Sequence, residues 1–253
     1  MSLRTKDKVR IDLLLVQKNL AESREKARAM IMAGLVHVDE VRIDKPGHLA
    51  SPSSQILVKE PYPPYVSRGG VKLEAALEAF SVDVTDKVIL DVGASTGGFT
   101  DCLLQRGAGK VIAVDVGYGQ LHWKLRKDPR VRVLEKTNIR NLEPGALEGE
   151  VDGAVINVSF ISLKLVVPVV ARLVKDRGFI ITLVKPQFEV GKGQVGKGGV
   201  VRDPALHEEV LEGLIRFFRA QDWEAAAQMP SPILGPKGNR EFLVHLVRVS
   251  SKQ

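Results

Sequence analysis

Val88-Ile-Leu-Asp-Val-Gly-Ala-Ser-Thr-Gly-Gly-Phe-Thr100 decides the fold class. An apolar run suited to a buried strand meets an acidic residue, Asp91. A glycine-rich turn follows, and then a helical segment over 98–106. Moving outward, three more apolar runs have the same form: Val111 to Val114, Ala154 to Ile156 and Phe179 to Val184. Helical patterning lies between and beyond them, at 72–80, 98–106, 119–127, 162–175 and 204–220. Apolar strands alternating with helices predict an α/β fold whose mostly parallel sheet is covered on both faces. Trp223 to Met229 and Glu241 to Val249, joined by a Gly/Pro loop, predict an antiparallel C-terminal edge pair.

The stretch before residue 60 has another character. Arg10 to Gln17 is an amphipathic helical segment, and Ser23 is a natural cap for a helix over Arg24 to Ala33, which Gly34 stops. Val36 to Asp39, Val41 to Ile43 and Gln55 to Lys59 read as short strands. Glu60-Pro-Tyr-Pro-Pro-Tyr65 breaks the pattern, because proline removes a donor and favours extended backbone. The expected organisation is a small α+β domain over 1–60, a proline-rich linker over 61–66 and the α/β domain over 67–253.

The 253 residues are 44% hydrophobic and 26% charged, which suits a globular protein with a real core. The net charge of +7 is shared: residues 1–60 carry 11 basic and 8 acidic side chains, the rest 26 and 22. A polyanionic partner is therefore plausible on charge, from either part. The N-terminus lacks the apolar core of a signal peptide, and no apolar run approaches the length of a membrane span. With one cysteine, Cys102, an intrachain disulfide and a multi-cysteine zinc site are excluded. A cytoplasmic setting is expected.

Polar residues close all four strand runs: Asp91, Asp115, Asn157 and Lys185. In open α/β sheets, ligands bind beyond the carboxyl ends of the strands, so the four together predict a binding site. The turn Gly93-Ala-Ser-Thr-Gly-Gly98 permits close backbone approach to a ligand. Asp115, placed after the second strand, suits the paired hydroxyls of a ribose. Gly191-Lys-Gly-Gln-Val-Gly-Lys197 matches the start of a nucleoside-triphosphate loop, but Gly198 stands where the magnesium-binding Ser or Thr belongs. A basic, glycine-rich lid that brings Lys192 and Lys197 to phosphates is the better reading. Lys72 and Lys185 stand in apolar or glycine-rich settings, where desolvation favours the neutral amine and so a base. The five histidines show no metal-ligand spacing, so no metal is expected.

Asp91 to Asp101, Ser159-Phe-Ile-Ser-Leu163, Lys185-Pro-Gln-Phe-Glu189 and Gly198-Gly-Val-Val-Arg-Asp203 resemble the TlyA family of hemolysin A-like ribosomal RNA methyltransferases. Arg10-Ile-Asp-Leu-Leu-Leu-Val, Ser23 to Arg28 and Ile31 to Asp39 resemble the small RNA-binding domain first named from ribosomal protein S-four. The second part resembles the FtsJ-type, Rossmann-like S-adenosylmethionine-dependent methyltransferase domain. The resemblance implies methylation of the ribose 2′-hydroxyl of cytidine in ribosomal RNA, alone or within ribosomal subunits. It implies S-adenosylmethionine held by Asp91, Gly93, Ala94, Ser95, Thr96, Gly97, Gly98, Phe99 and Thr100, with Asp115 on the ribose and Asn138 near the adenine. RNA would meet Arg10, Arg24, Lys26, Arg28, Arg68, Lys192 and Lys197. The family's lysine–aspartate–lysine–glutamate tetrad falls on Lys72, Asn157, Lys185 and Glu241, so an amide replaces the aspartate. That departure implies slow methyl transfer. It leaves an RNA-binding or assembly protein of weak activity as the alternative; a membrane-lytic role finds no apolar span to support it.

Overall fold

The structure, a computed structural model, describes residues 8–32, 34–58, 64–147, 149–191, 193–196 and 198–249. The chain divides into two compact units between Pro64 and Tyr65.

In the first unit, β1 (Val9–Arg10) leads into α1 (Ile11–Gln17). Then come α2 (Arg24–Met32), β2 (Val36–Val38), β3 (Val41–Ile43), β4 (Leu49–Ala50) and β5 (Ile56–Val58). The Ser23 hydroxyl accepts from the Lys26 amide and caps α2. β3, β2 and β5 form an antiparallel sheet, and β1 pairs with β4. Asp39 and Glu40, both at positive φ, make the two-residue turn that reverses β2 into β3. Ile11, Leu14 and Leu15 of α1 pack with Ala27 and Ile31 of α2 and with Val36.

The second unit is built on a seven-stranded sheet. Its strands are β6 (Val88–Val92), β7 (Lys110–Val114), β8 (Val131–Leu134), β9 (Val151–Ile156), β10 (Val174–Val184), β11 (Trp223–Pro230) and β12 (Phe242–Arg248). The order is β11-β12-β10-β9-β6-β7-β8. β10, β9, β6, β7 and β8 run parallel, whereas β12 is antiparallel to both β10 and β11. The helices are α3 (Gly69–Ala79), α4 (Gly98–Gln105), α5 (Trp123–Arg126), α6 (Leu163–Val170) and α7 (Pro204–Arg219).

Strand side chains alternate between two cores. Leu90, Val92, Ala154, Ile156, Ile180 and Val184 pack with α6 and α7. Ile89, Val155, Ile181, Leu183 and Leu243 pack on the opposite face with α3 and α4. Continuing this period past the strand ends assigns Asn157, Lys185 and Glu241 to the α3 face.

Several expected boundaries change. The helix expected over 162–175 stops at Val170, because the chain turns there and β10 begins at Val174. The one expected over 119–127 is a single turn, Trp123–Arg126, after the positive-φ residue Gly119. β8 was not anticipated. Asp91 is the penultimate residue of β6 rather than its end. The expected linker over 61–66 is described only from residue 64: Tyr65 is buried, its hydroxyl on Glu74, and the Val66 amide bonds Asp101.

Candidate active site

A cavity of about 430 Å³ lies beyond the carboxyl ends of β6, β7 and β9. Among the residues lining it are Gly93, Ser95, Asp115, Gln120, Asn138, Asn157, Ser159 and Phe160. Its size falls within the range of small-molecule sites. Gly93 sits at φ +80, and a Cβ there would come within 2.8 Å of the Asn157 carbonyl oxygen. Glycine therefore lets the turn after β6 cross directly over the end of β9. Asp115 fixes the opposite wall. Its Oδ2 accepts from the Ser95 amide at 2.8 Å and its Oδ1 from the Gly117 amide at 2.7 Å. Each oxygen keeps a lone pair for a ligand hydroxyl. The Asn138 side chain accepts from the Arg140 amide and caps a short 3₁₀ turn.

The glycine-turn residues divide into two groups. Gly93 and Ser95 line the cavity, while Ala94, Thr96, Gly97, Gly98, Phe99, Thr100 and Asp91 are not among its lining residues. Phe99 and Thr100 are buried in α4. A Cβ on Gly98 would come within 2.2 Å of the Ser67 hydroxyl and 2.9 Å of the Gly70 amide, so this glycine allows the starts of α3 and α4 to touch. A Cβ on Gly97 would strike Leu125. Asp91 is fully buried on the α4 side, where its Oδ2 accepts from Thr100 Oγ1 at 2.6 Å. Burial pushes its carboxyl up to about 7, against the Thr100 bonds and with Asp115 adding to the rise.

Beside the cavity the structure gathers three of the four tetrad positions around one another. Lys72 of α3 makes an ion pair with Glu241, which directly precedes β12. The Glu241 carboxylate is fully buried, and its Oε1 has no hydrogen-bond partner among the described residues. Gly235 makes room for it, since a Cβ there would lie 2.2 Å from Oε1. Lys185, at the end of β10, is 9% exposed and donates to Ser159 Oγ at 2.9 Å. Burial lowers its ammonium to about 8, with Glu241 opposing the shift and Lys72 adding to it. Asn157 stands between cavity and tetrad. It lines the first, and its Nδ2 lies 3.8 Å from where a Cβ on Gly69 would be, in the first turn of α3. The antiparallel return of β12 makes the cluster possible: Phe242 pairs with Val184, so Glu241 starts its strand where Lys185 ends its own.

Two cavity residues were not anticipated. Ser159 and Phe160 lie in the quoted Ser159-Phe-Ile-Ser segment, but nothing in their types marks them. Phe160 is 90% exposed at φ +62 on the cavity rim, its ring 4.8 Å from that of Phe188. A bulky residue held exposed in the left-handed region points to a functional demand.

The proposed RNA contacts among the described residues are exposed or half-exposed, but three are already engaged. Arg10 and Arg24 both bond the buried Asp12 carboxylate at 3.0 Å. Lys26 pairs with Glu22 at 2.6 Å. Arg28 and Arg68 are exposed. Lys192 and Lys197 lie outside the described residues. No helix directly follows the segment with the nucleoside-triphosphate spacing among the described residues: Gly196 bridges Val200, and α7 begins only at Pro204. Among the described residues, no helix is long and apolar enough to cross a membrane.

A parallel sheet, a cavity at its carboxyl edge and lysines poised beside it define a methyltransferase of the FtsJ-like class. That family matches residues 65–248, and the S4 domain matches residues 9–56. The chain belongs to the TlyA family within that class. It is 47% identical over 240 residues to the 16S/23S rRNA (cytidine-2′-O)-methyltransferase TlyA of Mycobacterium tuberculosis, covering 94% of this chain and 90% of that one. Hemolysin A of Brachyspira hyodysenteriae is 40% identical, over 94% of this chain and all of its own length. A solved structure from Streptococcus thermophilus, described as a hemolysin, superposes with a TM-score of 0.77 at 46% identity, covering 98% of this chain and 90% of that one.

Proposed function

We propose that this protein transfers the methyl group of S-adenosylmethionine to the 2′-hydroxyl of a cytidine in ribosomal RNA. The observation that carries the reading is Lys185: a buried lysine lowered to about 8, bonded to Ser159 in the wall of a nucleoside-sized cavity, with the Lys72–Glu241 pair close by. The residues fit the cofactor. Asp115 offers acceptors for its ribose, Gly93 lets the backbone approach it, and Asn138 stands beside the base end. When bound, the cofactor supplies a methyl group activated by sulfonium charge.

The chain's own groups do the rest. Neutral Lys185 takes the proton of the 2′-hydroxyl as the oxygen attacks. Ser159 fixes the direction of the amine by accepting one of its N–H groups, which leaves the lone pair of the neutral form for the substrate hydroxyl. Lys72, held by Glu241, adds positive charge near the developing alkoxide. Phe160 offers an exposed ring on which a base can stack. The S4 unit supplies a separate basic surface through Arg10, Arg24, Lys26 and Arg28. Arg10 and Arg24 are oriented by Asp12 yet keep free guanidinium donors for phosphates.

The test is tritium transfer from S-adenosylmethionine to ribosomal RNA, separated subunits and intact ribosomes, followed by nucleoside analysis. A 2′-O-methylcytidine formed by the wild type and lost in Lys185→Met is the expected result. Incorporation equal in the two proteins overturns it.

A further inference from the structure

We propose that a second, cationic cleft beside the tetrad, lined by Arg202, Lys237 and Arg240, holds a backbone phosphate of the substrate RNA next to the target ribose. This rests on the methyltransferase reading above and extends it to residues that the sequence did not mark.

The cleft encloses about 190 Å³ and is lined by Val200, Val201, Arg202, His207, Lys237, Gly238 and Arg240. No acidic residue is among them. Arg202, Lys237 and Arg240 are exposed, and among the described residues none makes an ion pair. The two carboxylates adjacent in sequence are engaged elsewhere: Asp203 accepts from the Ala205 amide at the start of α7, and Glu241 pairs with Lys72. Three cations around one concavity with no counter-charge repel one another, and an anion in their midst relieves that. Both arginines can fork onto phosphate oxygens.

The cleft is built rather than incidental. Asn239 is 3% exposed and ties its two walls together. Its Oδ1 accepts from the Val201 amide at 3.2 Å; its Nδ2 donates to the Gly199 and Pro236 carbonyls at 3.0 and 3.2 Å. His207, also buried, bonds the Val201 carbonyl at 2.9 Å. Lys237 is held at φ +59, ahead of Gly238 at φ +85. That turn brings its Nζ to 3.8 Å from where a Cβ on Gly199 would stand, over a pair of positive-φ glycines whose backbone is open. A lysine kept in the left-handed region is strained, and here the strain delivers an ammonium into the cleft. Arg240 directly precedes Glu241, so the cleft begins one residue from the tetrad. A phosphate bound there would belong to a nucleotide close to the tetrad.

The test uses the full chain and ribosomal RNA. Arg202→Gln, Lys237→Gln, Arg240→Gln and the triple variant are compared with wild type and with Arg172→Gln, an exposed arginine at the opposite edge of the sheet. RNA affinity is measured against salt, and S-adenosylhomocysteine affinity is measured in parallel as the check on folding. The triple variant should lower the slope of log affinity against log salt by about 0.7, as expected for one lost contact to a single-stranded phosphate, and each single variant by less. Cofactor affinity should stay constant and Arg172→Gln should match wild type. A triple variant with the wild-type slope overturns the cleft, even if methyl transfer is intact. Absence of methyl transfer by the wild type, with the slope difference present, overturns the methyltransferase reading and leaves the cleft standing.

Discussion

Replacing Asn157 by Asp restores the carboxylate of the family tetrad, and its effect divides into two opposed parts. Asn157 directly follows β9, and Lys185 directly follows the neighbouring strand β10, whose Thr182 pairs with Ile156. A new anion there favours the charged lysine, and an opposite charge within a few ångströms moves a pKa by about one to three units. Lys185 starts from about 8, so at pH 7.5 about a quarter of it is neutral, and a rise of one unit leaves about 3%. The same carboxylate anchors the amine and balances the cofactor's sulfonium, and better alignment of reacting groups is worth up to about a hundredfold in rate. The assay is single-turnover methyl transfer to ribosomal RNA from about pH 6.5 to about pH 10, spanning the ordinary lysine value. In the wild type the rate should rise about tenfold per pH unit at low pH and level off above about 8, because the neutral amine is the base. In Asn157→Asp the bend should move to higher pH and the plateau should be faster. An unmoved bend would refute the coupling of position 157 to Lys185. A wild-type rate independent of pH between 6.5 and 8 would refute Lys185 as base.

Other outcomes follow from the same geometry. Asp115→Ala should weaken cofactor binding by about 1–3 kcal/mol, seen by calorimetry, and unchanged affinity removes Asp115 from the site. Gly93→Ala, facing the Asn157 carbonyl at positive φ, should abolish the thermal stabilisation given by S-adenosylhomocysteine; a wild-type thermal shift would show that the crossing can relax. Phe160→Ala should leave stability within about 0.5 kcal/mol, as at other exposed positions, yet slow transfer to RNA by roughly tenfold. An unchanged rate excludes base stacking there. Arg10, ahead of Arg24, holds the Asp12 carboxyl at about 2, below its ordinary value, so the pair contributes stability above pH 4 that is lost as pH falls through about 2. The contribution is about 2 kcal/mol, reduced by the half-exposed guanidiniums. Urea midpoints followed through the Ile11 and Ile31 methyl resonances should therefore lose their acid dependence in Asp12→Asn.

The sheet was legible where its strands are buried on both faces, because Val111 to Val114 and Phe179 to Val184 read as unbroken apolar runs. β8 escaped because it is an edge strand: Val131-Arg-Val-Leu134 is half-buried throughout and carries an arginine. β10 was seen only in its second half, since Lys175-Asp-Arg177 is exposed and resembles a helix end. The strand-end polar residues marked the right edge of the sheet. What the sequence could not convey was direction. Asp91 falls on the α4 side of the pleat and bonds Thr100, and most of the glycine turn makes room for helices instead of lining the cavity. Ser159 and Phe160 are ordinary residue types whose importance lies in where the backbone puts them. The basic residues of the first unit were visible, but not the shared carboxylate that orients two of them.

The last strand carries a consequence for the timing of synthesis. Glu241 leaves the ribosome 169 residues after Lys72, its partner, whereas the cofactor cavity is lined only by residues 92 to 166. A nascent chain thus has its donor cavity encoded long before its acid–base group is complete. Until β12 docks against β10, Lys72 lacks its Glu241 partner, and Lys185 follows a strand paired only with β9. A chain interrupted anywhere between β10 and β12 would retain every residue that lines the donor cavity and be unable to use a donor held there. On the roles proposed for Lys72, Lys185 and Glu241, methyl transfer then awaits the finished sheet.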